Sequence, residues 1–191
     1  MKPMLLAAAA TAALTLAACS EPADTADDTA ADTLPADPAP TAEAALTPTV
    51  ATEYIAAAGA GDMYEIESSR LALEKTEDEA VRTFAQMMVD DHTGTTEQIT
   101  SAAEAAGITP GAPALTPMQQ GMIDELTALS GADFDRAYIR QQLEAHRAAL
   151  GLHRNYSQSG DTEELREVAT AAVPIVEGHI TQLEGVNADG E

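Results

Sequence analysis

The sequence is poor in several residue types, and each scarcity narrows the possible folds and functions. Its 191 residues include one cysteine, no tryptophan, two phenylalanines and four tyrosines, and aromatic residues amount to 3 %. A single cysteine excludes an intramolecular disulfide. A chain so short of aromatic residues and so rich in alanine favours helices that pack closely on small side chains. The length suits one domain with appendages.

Basic residues are also scarce, and this argues against nucleic-acid binding. Nine Lys and Arg residues face 32 Asp and Glu residues, which gives a formal net charge of -23. Such a charge repels nucleic acid and anionic lipid, so no nucleic-acid partner is expected. The sequence has no serine-hydrolase elbow, no glycine-rich phosphate loop and no haem-attachment motif. The sequence therefore indicates no particular reaction, and an enzymatic function is disfavoured.

The lone cysteine follows a short apolar run at the start of the chain. Residues 4–18 are rich in Ala and Leu, and they are too few for a membrane span, which needs about 20 residues. The run ends Leu16-Ala17-Ala18-Cys19, which resembles the lipobox of bacterial lipoprotein precursors. We therefore expect a lipoprotein signal peptide over 1–18 and acylation (palmitate) of Cys19, with an ordinary signal peptide as the alternative. Ser20, in place of Asp, favours the outer membrane, facing the periplasm.

A polar segment separates this signal from the rest of the chain. Residues 19–48 consist mainly of Ala, Thr, Pro and Asp and contain no Lys or Arg. Such a segment cannot bury enough apolar surface to offset its chain entropy, so a disordered tether is predicted.

From residue 49 to residue 187 the pattern is helical. Capping residues and Gly or Pro breaks predict helices, and nothing alternates as a strand would. The prediction is an all-α, four-helix bundle whose third helix is broken at Ser130-Gly131. The predicted starts are Thr47-Pro48, Thr76 with Glu79, Thr116-Pro117, Ser130 with Asp133, and Gly160-Asp161 with Glu164, and the predicted ends lie near Lys75, Gly107, Leu129, Ser157 and Gly185.

Residues spaced by three and four mark the inward face of each helix. Each of the four faces carries one side chain that can bind a metal ion, and these are Glu65, His92, His146 and His179. His153 is left over near a helix end and is expected to be exposed. Asp91 is expected to be a solvated charge.

Three imidazoles and one carboxylate suit one Zn, Cu or Fe ion, which would keep a net charge of +1 inside the bundle. A di-iron centre needs Glu three residues before His on two helices, but Val89, Leu143 and Val176 stand there. A buried polar network without metal and a dispersed set of partly exposed side chains are the open alternatives.

Several stretches together resemble a bacterial family known as domain of unknown function 4142. The matching stretches are residues 63–73, residues 84–92 ending in Asp-Asp-His, the Phe-Asp-x-x-Tyr element within 130–138, and the His146 and Pro174 to His179 positions. The resemblance covers about residues 50–184. It implies a ferritin-like four-helix fold in exported, often membrane-associated proteins, with no established activity, and its Glu and three His fall on Glu65, His92, His146 and His179.

The sequence thus leads to two main hypotheses. The first is an envelope lipoprotein that binds one transition metal ion inside its bundle. The alternative is a metal-free structural or partner-binding envelope module. In both hypotheses the protein is attached to the membrane through the lipid on Cys19, and no protein partner is identified.

Overall fold

Five α-helices make up the part of the chain that the computed structural model describes, residues 48–189. The predicted signal peptide, Cys19 and the predicted tether up to residue 47 lie outside these residues. Within 48–189 there is no strand, so the all-α prediction is confirmed, and none of these helices is long and apolar enough to cross a bilayer. The helices are α1 (Ala51–Lys75), α2 (Glu79–Ala105), α3 (Pro117–Ala128), α4 (Gly131–Ser159) and α5 (Glu163–Asp189).

The four long helices form the bundle. Helix α1 packs against α2 and α4, and α5 packs against the same two helices. Tyr54 contacts His153, and Tyr64 contacts Gln141, so α1 and α4 run in opposite directions. Short turns join α1 to α2 and α4 to α5, which makes both pairs antiparallel hairpins. It follows that α2 and α4 are parallel, and this topology with one long crossover connection is ferritin-like.

The break predicted at Ser130-Gly131 is a reversal of chain direction. The glycine has a φ of 56°, a left-handed conformation that other residues rarely adopt. Helix α3 runs beside α1 in the same direction, because Gln119 donates to the Ala60 carbonyl at one end and Lys75 donates to the Leu126 carbonyl at the other. Helix α4 then returns antiparallel to α3. Helix α3 is therefore part of the crossover and covers the α1–α4 side of the bundle.

One predicted helix end and one predicted helix start are confirmed in detail. Gly107 has a φ of 76°, and the Ile108 amide donates to the Ala103 carbonyl, so α2 ends in the motif expected of a glycine just beyond a helix. At the start of α3, Thr116 and Gln119 form a reciprocal capping box ahead of a proline in the first turn.

Two predicted helix starts are wrong. Helix α1 begins at Ala51 and not at Thr47-Pro48, because its first amide is capped from elsewhere in the fold: Asp161 Oδ1 accepts from the Ala51 amide at 3.0 Å. Helix α2 is capped by Asp78, whose side chain accepts from two amides of the first turn, and not by Thr76. The Thr76 hydroxyl accepts from the Asp78 amide and so fixes the capping residue.

The core consists of two apolar clusters at opposite ends of the bundle. One cluster contains Phe84, Met88, Phe134, Tyr138 and Leu183 among others. The other contains Tyr54, Ile99, Leu152, Tyr156 and Leu165 among others. Between them lies a layer of buried polar side chains, namely Asp62, Glu65, Ser68, His92, Gln142, His146 and His179.

Candidate metal centre

The polar layer brings one titratable side chain from each long helix to the middle of the bundle. Glu65 comes from α1, His92 from α2, His146 from α4 and His179 from α5, and each is at most 5 % exposed. These are the four residues that the helical periodicity selected. They lie on the inward faces because each continues an apolar stripe at spacings of three and four.

The three imidazoles form a nearly equilateral triangle. The ring centroids of His92 and His146 are 5.6 Å apart, those of His92 and His179 are 5.7 Å apart, and those of His146 and His179 are 5.2 Å apart. His146 Nε2 lies 3.2 Å from His179 Nδ1. Two nitrogens that bind one tetrahedral ion at about 2.0–2.1 Å lie about 3.3 Å apart, so this separation fits a shared ion.

An acceptor outside the triangle fixes the tautomer of each imidazole. These contacts are His92 Nδ1 to Asp62 Oδ1 at 2.8 Å, His146 Nδ1 to the Gln142 carbonyl at 2.8 Å, and His179 Nε2 to Asp91 Oδ2 at 3.0 Å. A carboxylate or carbonyl oxygen can only accept, so each of these ring nitrogens carries the proton. The other nitrogen of a neutral ring then presents a lone pair to the centre. This is the arrangement in which proteins hold histidine ligands for metal ions.

Two of these lone pairs, on His146 Nε2 and His179 Nδ1, face each other at 3.2 Å. Two lone pairs at this distance repel each other unless a cation or a proton lies between them. Because neither ring can turn without losing its outer hydrogen bond, the two nitrogens are held at a separation that a shared cation or a shared proton would relieve.

Glu65 lies beside the triangle and contacts both His92 and His146. Its Oε2 atom is 2.6 Å from His92 Nε2, and its Oε1 atom is 3.0 Å from His146 Nδ1. Glu65 groups with Asp62 and His92 as potential ligands, whereas the three histidines form a separate group. Within residues 48–189, neither His92 Nε2 nor Glu65 Oε1 has a hydrogen bond of good geometry, although both atoms are buried. These two atoms are therefore left for a ligand or a shared proton.

Without a metal, charge on His92 compensates Glu65. Burial by itself raises the pKa of Glu65, but interactions with the imidazoles of His146 and His92 outweigh it and lower the pKa to about 2. Burial likewise lowers the pKa of His92, but the charge of Glu65 and the hydrogen bond to Asp62 raise it to about 10. The metal-free centre thus holds an imidazolium between two carboxylates.

Asp62 changes the charge of the site relative to the sequence-based expectation. A set with Glu65 as its one carboxylate leaves a divalent ion with a net charge of +1. Asp62 is 5 % exposed and adds a second carboxylate through His92, while the Thr96 hydroxyl donates to its other oxygen at 2.9 Å. Burial raises the pKa of Asp62, and the hydrogen bond to His92 opposes this rise. Two buried carboxylates balance the charge of a divalent ion.

Sequence reasoning missed Asp62 and missed the contact between Asp91 and His179. Asp62 lies three residues before Glu65 and therefore on the same face of α1, and this spacing is the signal in the sequence that could have found it. Asp91 is exposed, as expected of a solvated charge, but it also accepts a hydrogen bond from His179 on α5. No signal in the sequence shows which residue of another helix a side chain will meet.

The expectation that His153 is exposed is wrong. It is 4 % exposed, and its Nδ1 atom lies 3.0 Å from the Tyr54 hydroxyl. Helix α4 continues to Ser159, so His153 lies inside the apolar cluster and not at a helix end. Burial lowers the pKa of His153 to about 4, which keeps the ring neutral. It does not join the triangle of the other three histidines.

The family model of a domain of unknown function (DUF4142) matches residues 35–186. The chain belongs to this family. No curated relative matches the chain. The suspected family is thus confirmed, and with it the ferritin-like fold, but the family name carries no activity.

Solved structures with a similar fold include one with bound metal. A DUF305 fragment from Deinococcus radiodurans has a TM-score of 0.63 and 17 % identity, covering 71 % of this chain and 93 % of its own. A putative secreted DUF305 protein from Streptomyces coelicolor has a TM-score of 0.62 and 15 % identity, covering 74 % and 94 %. CopM in its Cu(II)-bound form has a TM-score of 0.63 and 16 % identity, covering 74 % and 98 %. At these identities the likeness shows the fold.

Proposed function

We propose that the protein binds one divalent transition metal ion at the centre of its bundle. His92, His146 and His179 supply the ligand nitrogens, and Glu65 turns its carboxylate to complete the site. The observation that carries this proposal is the set of three inward nitrogens, each on a ring whose other nitrogen is held by an outer acceptor. Buried histidines that bind no ligand are hydrogen-bonded one by one, and nothing then requires their remaining nitrogens to point at one common position.

Charge favours a divalent ion over a monovalent one. Glu65 and Asp62 are both buried, and together they neutralise two positive charges, whereas a monovalent ion leaves one negative charge inside the bundle. Three imidazoles and a carboxylate suit Cu(II), Zn(II) and Fe(II), and among these Cu(II) has the highest intrinsic affinity for nitrogen ligands. CopM, which has a similar fold, has been solved with Cu(II) and with Ag. We therefore favour Cu(II).

Titration with Cu(II) and with Zn(II) tests the proposal. The purified chain, stripped with a chelator, is expected to bind one ion, measured by calorimetry and by elemental analysis after desalting. His146→Ala and His179→Ala are each expected to weaken binding by at least about 100-fold, since each removes a ligand. His153→Gln is the matched control, because His153 is also buried but lies outside the triangle, and it is expected to bind as the parent does.

Two results would contradict this metal site. One is a chain that binds no ion above background. The other is equal loss of binding in His153→Gln and in the two ligand variants.

A metal-free structural role is the second candidate. The distance of 2.6 Å between His92 Nε2 and Glu65 Oε2 is shorter than the roughly 3.3 Å between two ligands of one tetrahedral ion, and it suits an ion pair of an imidazolium with a carboxylate. In this candidate the polar layer only fixes the register of the four helices. This candidate predicts that treatment with a chelator changes neither the melting temperature nor the absorption spectrum of the chain.

We further propose that the domain is carried on a lipid anchor in the cell envelope. The support is the Leu16 to Cys19 sequence, the length of the polar segment behind it, and the similar fold of a protein named as secreted. The metal site then lies outside the cytoplasm, and the tether holds it away from the bilayer, facing the periplasm from the outer membrane.

Substituting the cysteine tests this anchor. Cys19→Ala in the full chain, expressed in a Gram-negative host fed a labelled fatty acid, is expected to carry no label, since no acyl chain can then be attached. Ser20→Ala serves as the control and is expected to be labelled as the parent chain is. Equal labelling of Cys19→Ala and the parent chain contradicts a lipid anchor at this cysteine.

A further inference from the structure

The metal centre is closed on most sides by the fold itself. The two apolar clusters lie above and below the polar layer, and helix α3 lies over the α1–α4 side. The centre-lining side chains of Glu65, His92, His146 and His179 are between 0 % and 6 % exposed. An ion that reaches the centre must therefore displace at least one side chain.

Asp91 differs from every other residue bonded to the centre. Its side chain is 44 % exposed, and it bonds to His179 Nε2 at 3.0 Å across the α2–α5 seam. Asp62, the corresponding partner of His92, is buried. The partner of His146 is the Gln142 backbone carbonyl, within its own helix. The Asp91 to His179 contact is therefore the one place in this network where a ligand is held by a group that water reaches.

We propose that Asp91 and His179 form a latch through which the metal ion enters and leaves the centre. Opening breaks the hydrogen bond between Asp91 Oδ2 and His179 Nε2, and the His179 ring swings towards solvent between α2 and α5. Water replaces the lost hydrogen bond at the half-exposed carboxylate, so opening is easier here than at His92 or His146. This inference rests on the proposed metal site and names the ligand that moves.

Rapid-mixing kinetics with Cu(II) test the latch. Asp91→Ala is expected to speed association about tenfold or more, because a hydrogen bond to a charged group no longer holds His179 closed. A residue that only orients a ligand would weaken binding without speeding association. Asp90→Ala is the matched control: it removes the same charge from the neighbouring exposed residue, which contacts Gln86 and not His179. The rate at which Cu(II) associates with Asp90→Ala is expected to fall, by less than about twofold.

A second measurement tests the latch without any metal. Diethyl pyrocarbonate acylates accessible neutral imidazoles, and mass spectrometry assigns each modified residue. In the metal-free chain, Asp91→Ala is expected to raise the modification rate of His179 about tenfold, with His146 unchanged. An unchanged rate at His179, or an equal rise at all the buried histidines, would overturn the latch. A chain that binds no metal but shows the selective rise at His179 would overturn the metal site and leave the moving side chain in place.

Discussion

Replacing Glu65 with alanine is expected to lower the free energy of unfolding of the metal-free chain by about 3–5 kcal/mol. The carboxylate is 2 % exposed and lies 2.6 Å from His92 Nε2, so its removal leaves a buried imidazolium with Asp62 as its one remaining partner. The imidazolium must then lose its proton or stay under-compensated, and both cost free energy. Urea unfolding followed by far-ultraviolet circular dichroism measures the change, since the chain has no tryptophan.

Glu74→Ala is the control for this experiment. Glu74 lies on the same helix but is exposed, so its substitution is expected to change the free energy of unfolding by less than about 0.5 kcal/mol. A loss below about 1 kcal/mol for Glu65→Ala would show that the carboxylate and His92 are not a coupled buried pair.

Raising the pH is expected to destabilise the metal-free chain well before its tyrosines ionise. The pKa of His92 is raised from its ordinary value of 6.5 to about 10 in the folded state, so His92 contributes stability fully below 6.5. Above that value the unfolded chain loses the proton and the folded chain keeps it, and the contribution falls by about 1.4 kcal/mol per pH unit. Between about pH 7 and about pH 9.5 the expected loss is about 3 kcal/mol, measured by urea unfolding in the presence of a chelator.

His92→Gln is the matched variant that tests whether His92 causes the loss of stability at alkaline pH. Glutamine cannot titrate, so the free energy of unfolding of this variant is expected to be nearly flat over the same pH range. Burial raises the pKa of Tyr54, Tyr64 and Tyr138 above their ordinary value, so these groups add little below about pH 9.5. A slope that persists unchanged in His92→Gln would contradict a charged His92 in the metal-free fold.

Bound metal is expected to reverse this dependence. An ion on His92 Nε2 displaces the proton that this nitrogen carries below its raised pKa, so binding releases a proton and tightens as the pH rises. The same nitrogen thus links the stability of the metal-free chain to the affinity of the metal centre.

The inward-facing candidate ligands were predictable because helical periodicity is local. Residues spaced by three and four fall on one face whatever the rest of the fold does, so Glu65, His92 and His179 could be placed on apolar stripes from the sequence. Gly107 and Thr116 were predictable for the same reason, since each satisfies backbone groups within a few residues of itself.

Contacts between helices were not predictable in this way. The start of α1 was misplaced because Asp161, which caps it, lies 110 residues away. The contact between Asp91 and His179 was not predicted because no local rule brings α5 next to Asp91. His153 was misjudged because the length of α4 and the position of Tyr54 decide its burial.

The sequence by itself therefore determined that the residues beyond 48 form amphipathic helices and that Glu65, His92, His146 and His179 lie on the inner faces of the four long ones. It also supplied the Cys19 motif, on which the proposed lipid anchor depends. Only the tertiary structure decided that one nitrogen from each of the three imidazoles lies within 4.8 Å of the others, that Glu65 lies beside them, and that Asp62 and Asp91 bond to the outer nitrogens of His92 and His179. The reason is that spacing along a helix sets a direction, whereas helix packing sets the distance between side chains, and metal binding depends on distance.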